Sequence, residues 1–258
     1  MFSSDSDEEA VAPDGQPIQS PRVPDGVRVY VIGDIHGRLD LLHSLHEQIS
    51  NELRQLPAPR DAIVVYLGDY IDRGSDSFGV VELLLKTPIE GCRQIYLRGN
   101  HESEMDGFLA APKPNHVWTQ CGGMETALSY KVRVKAQVSA VDRVIEMRDQ
   151  LLELIPAEHR RFYSELQLNY EIGDYFMVHA GVRPGVPLAQ QRHEDMLWIR
   201  GPFLSYTGQF GKVVVHGHTV TPQPIILPNR IGIDTGAYHS GKLTSVVLEE
   251  DQIRFLST

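Results

Sequence analysis

VRVYVIGDIHG, residues 27–37, and IVVYLGDYIDRG, residues 63–74, decide the reading of this chain. Each is a short β-branched run that stops at a glycine followed at once by aspartate, the pattern of a buried strand ending in a turn. Between them Leu42, Leu45, Ile49, Leu53 and Leu56 recur at intervals of three and four. They draw one apolar stripe down a helix that Pro57 terminates. Strand, helix and strand in that order make a β-α-β unit with its two strands parallel.

The alternation continues outward. A second helix is predicted near Val80 to Lys86 and a third strand at Gln94 to Leu97. Further strands are predicted at YFMVH (175–179), VVVH (213–216), RIGID (230–234), LTSVVLE (243–249) and QIRFLS (252–257), so the fold class is α/β. From about Glu102 to Glu165 a polar, partly helical segment interrupts the pattern, with Val144, Met147, Leu151 and Ile155 at helical spacing. We read it as an insertion that shapes the substrate cleft. Residues 1 to about 26 combine Asp5, Asp7, Glu8 and Glu9 with Pro13, Pro17, Pro21 and Pro24 and few large apolar side chains. Such a stretch cannot repay the entropy of ordering and reads as a disordered acidic tail, leaving 27–258 as one domain.

The formal net charge of -10, from 24 basic and 34 acidic residues, offers no general attraction to a nucleic-acid backbone. Cys92 and Cys121 have no neighbouring cysteine at metal-ligand spacing and read as free thiols in a reducing compartment. The N-terminal run is acidic where a secretory signal would be basic and then apolar, and no apolar run approaches membrane-spanning length. A cytoplasmic location, with no membrane or nucleic-acid partner, is the expectation.

Five glycine-punctuated clusters stand at strand ends: GDIHG at 33–37, GDYIDRG at 68–74, RGNHE at 98–102, HAG at 179–181 and HGHT at 216–219. Ligands of open α/β sheets bind beyond the carboxyl ends of the strands, so these clusters are expected to converge. Asp34, His36, Asp69, Asn100, His179 and His218 would then share one pocket. Carboxylate, imidazole and amide donors together suit manganese, iron or zinc better than calcium or magnesium. Six ligands are too many for one ion with open positions but enough for two, with Asp69 as the bridge. Such a pair activates water and clamps the oxygens of an in-line displacement, which makes phosphoester hydrolysis the natural reaction. Arg73 and Arg98 could hold non-bridging phosphate oxygens, and His101, paired with Asp72, could protonate the leaving oxygen.

The five clusters, in this order, resemble those of the metal-dependent serine/threonine phosphoprotein phosphatase family of the calcineurin-like metallophosphoesterase superfamily, most of all its bacterial and phage branch. The resemblance runs from about Val27 to the C-terminus. It implies a β-sandwich core flanked by helices and two divalent ions, manganese first and iron or zinc as alternatives. It assigns Asp34, His36 and Asp69 to one metal, and Asp69, Asn100, His179 and His218 to the other. His101 with Asp72 would be the leaving-group acid, Arg73, Arg98 and Arg200 would bind phosphate, and Tyr238 would line the cleft. His216 is expected to be buried behind the ligands. His43, His46, His116, His159, His193 and His239 are expected on the surface or the cleft wall.

There are departures from the pattern. Gly79 stands where eukaryotic members carry Glu, and DTGAY (234–238) stands where they carry Ser-Ala-Pro-Asn-Tyr. Val220 occupies the position where nuclease relatives have a second His. The leading expectation is therefore a protein phosphatase acting on phosphoserine or phosphothreonine by attack of metal-activated water. The alternative is a dinucleoside polyphosphate (diadenosine tetraphosphate) hydrolase, and a non-catalytic scaffold on the same fold comes third.

Overall fold

The computed structural model describes residues 18–135 and 137–258. The predicted β-α-β unit is present: β1 (Val27–Ile32), α1 (Leu39–Gln55) and β2 (Asp61–Tyr66), with β1 and β2 parallel and Val27 opposite Asp61. Helix α1 buries Leu41, Leu42, Leu45, His46 and Ile49 and ends at an extended Leu56, the conformation that Pro57 demands of the residue before it. Next come α2 (Ser77–Lys86), whose Asp76 cap accepts a hydrogen bond from Gly79 N at 2.8 Å, and β3 (Cys92–Tyr96), parallel to β2.

The segment expected as a partly helical insertion is helical through most of its length: α3 (Asn100–Ala110), α4 (Val117–Gln120), α5 (Gly123–Ser129), α6 (Ala140–Leu154) and α7 (Ala157–Glu165). The chain continues with β4 (Asn169–Ile172), β5 (Tyr175–Val178), α8 (His193–Trp198), α9 (Gly201–Leu204), β6 (Val213–His216), β7 (Ile225–Leu227) and β8 (Arg230–Gly232). It closes with α10 (Ala237–Ser240), β9 (Thr244–Glu249) and β10 (Gln252–Ser257).

The strands form two five-stranded sheets, in the orders β10-β9-β1-β2-β3 and β4-β5-β6-β8-β7. Two sheets, not one open sheet, make the core a sandwich, and β9 and β10 join the first sheet antiparallel. Strand periodicity explains why the sequence reads as unbroken apolar runs. Val29 and Val31 of β1, Val65 of β2, Met177 of β5 and Val215 of β6 point into the space between the sheets. Their neighbours Tyr30, Ile32, Val64 and Tyr66 face the helices of the first sheet's outer side, while Phe176, Val178 and Val214 pack under Met196 and Phe203 on the outer side of the second. Each such side chain, buried on its own face, contributes about 1.5–3 kcal/mol.

The tail boundary expected near residue 26 is corrected by the packing of residues 21–26. Val23 is fully buried in the layer between the sheets, its N–H donates to Glu250 O at 3.0 Å, and Tyr175 Oη donates to Pro21 O at 3.1 Å. One valine among prolines gives no periodicity, so only tertiary contact reveals it. Residues 1–17, where the acidic run lies, fall outside the described residues. Among the described residues no helix is long and apolar enough to cross a membrane, and Cys92 and Cys121 are free.

The carboxyl ends of β1, β2 and β3 in one sheet and of β5 and β6 in the other open onto the same edge of the sandwich. That edge carries all five clusters.

Candidate metal centre

The turns after the strands are bent tightly. His36, Asp69, Asp72, Arg73 and His218 all have φ between 47° and 72°, left-handed values that L-residues seldom adopt. Such conformations cost about 1–3 kcal/mol each and persist where the surroundings enforce them. The backbone does so here: Ile35 N and His36 N both donate to Asp69 O, at 3.1 and 2.8 Å, and Gly37 N donates to Tyr70 O at 2.9 Å. Glycine is required at Gly99 and Gly217, because a Cβ there would collide with the carboxylates of Asp69 and Asp34.

All six expected ligands converge and all are buried. His36, Asp69 and His101 present donor atoms within 4.8 Å of one another, and so do Asp69, His179 and His218; Asp69 belongs to both groups. Its Oδ2 lies 3.5 Å from His36 Nε2 and its Oδ1 3.5 Å from His179 Nε2. His36 Nδ1 pairs with Ile71 O at 2.9 Å and His179 Nδ1 with Leu67 O at 3.0 Å, which commits those protons to the backbone and leaves Nε2 as a lone pair facing Asp69. His179 Nε2 and Asn100 Oδ1, both acceptors in that state, face each other at 2.9 Å, an arrangement that a shared cation satisfies.

Asp34 Oδ1 and His218 Nε2 are buried and have no hydrogen-bond partner among the described residues, while Asp34 Oδ2 accepts from His218 N at 3.0 Å. Orphaned buried polar atoms of this kind cost about 1–3 kcal/mol each unless something else binds them. The donor set therefore fits a pair of divalent metal ions. Electrostatics agree. Burial pushes His36 down to about 3 and His218 to about 2, so both imidazoles are neutral and able to ligate. Burial would raise Asp69, but His179, His101, His36 and His218 around it hold its carboxyl well below the usual range. Asp34 is held well above that range by burial and by the negative charge of Asp234 and Asp69, a repulsion that cations relieve.

Beside the ligands, His101 Nδ1 pairs with Asp72 Oδ2 at 2.6 Å. Burial lowers His101, but Asp69 and Asp72 outweigh it and keep the imidazole above its ordinary value. The other oxygen of Asp72 accepts from Trp118 Nε1 at 3.1 Å and from Thr126 Oγ1 at 2.6 Å. Trp118 and Thr126 belong to the insertion, so the insertion orients this dyad; nothing in local sequence pattern signalled either residue.

Arg73 donates to His101 Nε2 at 3.1 Å and lies 4.7 Å over the Tyr238 ring, which packs edge-on to His36 at 5.5 Å. Arg200 reaches Thr219 Oγ1, next to His218 in the chain, at 3.3 Å. Arg98 is not brought into this group. Its guanidinium is tied to Asp106 at 2.5 Å and to the carbonyl of Tyr163, so it braces α3 against α7, and the expected phosphate contact is corrected to a structural ion pair. His216 is buried against Phe203, with Nδ1 against Gly217 O at 3.0 Å. His46 and His159 are core residues bonded to Tyr66 and Tyr130, not surface groups as expected.

Glu102 is the residue whose role sequence reasoning missed, although RGNHE contains it. Fully buried, it accepts from Asp69 N at 3.0 Å, Tyr70 N at 2.8 Å and Gly99 N at 2.9 Å, clamping the loops that carry Asp69 and Asn100. Burial and the nearby Asp69 push its carboxyl up to about 8.

Comparison with known proteins bears on the substrate. The bis(5'-nucleosyl)-tetraphosphatase PrpE [asymmetrical] of Oceanobacillus iheyensis is 26% identical over 247 residues, covering 88% of this chain and 90% of that protein. The protein of the same name from Halalkalibacterium halodurans is 24% identical over 245 residues, covering 88% and 92%. A solved structure described as a putative diadenosine tetraphosphatase superposes with a TM-score of 0.59 at 20% identity, covering 94% of this chain and 96% of its own, and so shares the fold. The curated relatives overturn the expectation of a phosphoserine or phosphothreonine phosphatase, because along the same span they are nucleoside tetraphosphatases. The clusters alone could not have separated the two, since they describe the metals and not what lies beyond the phosphate. The model of the calcineurin-like phosphoesterase family matches residues 27–222, the span that carries all five strand-end clusters, and the chain belongs to that family.

Proposed function

We propose that this chain hydrolyses dinucleoside polyphosphates, cutting a bis(5'-nucleosyl) tetraphosphate asymmetrically into a nucleoside triphosphate and a nucleoside monophosphate. The observation that carries the reading is the near end-to-end alignment with curated tetraphosphatases, 88% of this chain against 90% and 92% of theirs. The site is consistent with it, since Arg73 beside His101 and Arg200 beside Thr219 add two guanidinium groups next to the proposed ligands, suited to a polyanion.

Asp34, His36 and Asp69 would hold one ion, and Asp69, Asn100, His179 and His218 the other, with manganese, iron or zinc suited to the mixed donors. Bound there, the metals supply Lewis acidity toward the phosphoryl oxygens and activate the attacking water. The chain's own residues do the rest. Arg73 and Arg200 hold non-bridging oxygens, and Tyr238 walls the side next to His36. His101, held by Asp72 through Nδ1, offers Nε2–H to the departing oxygen once Arg73 turns to the substrate.

The test is incubation of the purified protein with diadenosine tetraphosphate and manganese, with products separated by chromatography. Equal amounts of ATP and AMP are expected. Intact substrate, in a preparation that still cleaves nitrophenyl phosphate, overturns the proposal.

A further inference from the structure

Resting on the dinucleoside reading of the site, we infer that Trp198 is the stacking surface for the nucleobase next to the phosphate under attack. The chain has two tryptophans. Trp118 is fully buried on Asp72, whereas Trp198 is 37% exposed although it ends a helix whose preceding residues Asp195, Met196 and Leu197 are all buried.

That exposure is built in. Arg183 grips Asp195 with two hydrogen bonds, at 2.8 and 2.5 Å, and Ala180 N donates to Met196 O at 2.8 Å. Helix α8 is thus fixed to the loop that begins with His179, and the indole is held where it stands. The ring meets His218 in a perpendicular contact, with centroids 6.1 Å apart, so it borders the metal pocket directly. Its N–H makes no hydrogen bond among the described residues, and the exposed part of the ring opens to solvent.

Two residues on, Arg200 reaches Thr219 Oγ1, the residue after His218, at 3.3 Å. An aromatic plane and a guanidinium adjoining one metal ligand match the two halves of a nucleotide, a π-face for the base and a cation for its phosphate. Tyr238 is exposed to the same extent but is a poorer platform. Arg73 lies 4.7 Å over its ring, and His36 and His239 crowd its edges.

Two measurements decide it. AMP should quench the indole emission of the wild type, and ribose 5-phosphate, with the same phosphate and no base, should not. Buried Trp118 provides the unaffected background, and Trp198→Phe should lose the AMP response. In kinetics, Trp198→Ala should raise KM for diadenosine tetraphosphate roughly 5- to 150-fold, the range for removing one stacking partner, with much of the loss restored in Trp198→Phe. The KM for base-free inorganic tetraphosphate should move by far less. Equal quenching by ribose 5-phosphate, or equal losses on the two tetraphosphates, would overturn the assignment. If the wild type fails to cleave diadenosine tetraphosphate, the functional reading falls, and AMP quenching still reports on stacking by itself.

Discussion

Replacing Glu102 by Ala removes, in one step, the acceptor of three backbone N–H groups, those of Asp69, Tyr70 and Gly99. The side chain is fully buried, so bulk water cannot take its place without opening the loops. A buried donor stranded in this way costs about 1–3 kcal/mol. Three would total about 3–9 kcal/mol, and relaxation with entry of a water into the cavity should bring the loss to the lower part of that range, about 3–5 kcal/mol. Glu102→Gln is the graded probe. Its carbonyl oxygen can still accept from Asp69 and Gly99, but its NH2 then faces the Tyr70 N–H, donor against donor, for a loss of about 1–3 kcal/mol. Against a typical total of about 5–15 kcal/mol the alanine variant should be marginal and the glutamine variant folded. Urea unfolding in the presence of chelator isolates this effect from metal binding. Elemental analysis after remetallation should show depleted metal in both variants, because Asp69 and Asn100 ride on the clamped loops. An alanine variant within 1 kcal/mol of wild type that still holds two equivalents of metal would refute the clamp.

Asp69→Asn should lower metal content at both sites together, since among the described residues Asp69 alone belongs to both donor groups; two retained equivalents with normal turnover would rule out the bridge. Val23→Ala should destabilise by about 1–3 kcal/mol in urea unfolding while leaving turnover of a small phosphoester unchanged, and a loss below 0.5 kcal/mol would return residue 23 to the tail. Burial depresses His46 in the folded state to about 4, below its ordinary 6.5, so the unfolded chain takes up that proton first. Its contribution is therefore complete above pH 6.5 and is lost as pH falls toward 4, by up to about 1.4 kcal/mol per unit. Unfolding curves of His46→Gln should be correspondingly flatter across that window, and parallel slopes would show that His46 is not the group responsible.

The strand ends and the six side chains that converge beyond them were legible because each obeys local rules, an apolar run closed by glycine and a polar residue. The division into two sheets was not, because β1 and β6 carry the same β-branched signature and only packing decides which layer each joins. Strand β7 was hidden: Ile225, Ile226 and Leu227 are β-prone, but a run of three between Pro224 and Pro228 is too short to stand out, and β7 is an exposed strand at the edge of its sheet. Arg98 sits two residues before Asn100 in sequence, yet its long side chain reaches Asp106, one of several acidic groups it could have met. Trp118, Thr126 and Val23 act through partners 46, 54 and 227 residues away, separations over which no pattern in the chain carries information.

The hold of Trp118 and Thr126 on Asp72 means that the His101–Asp72 pair is not portable. The sandwich alone supplies His101 and Asp72, but the two donors that complete the carboxylate's surroundings come from a different module of the chain. A chimera that exchanged residues 102–165 for a segment of equal length lacking an indole and a hydroxyl at those points would keep every proposed metal ligand except for the support that Glu102 gives their loops. It would nevertheless strand one oxygen of Asp72 in the interior, and the proton affinity of His101 would be set by whatever replaced them. Sequence drift in the insertion can therefore retune the chemistry of this site while the five clusters that identify it stay unchanged.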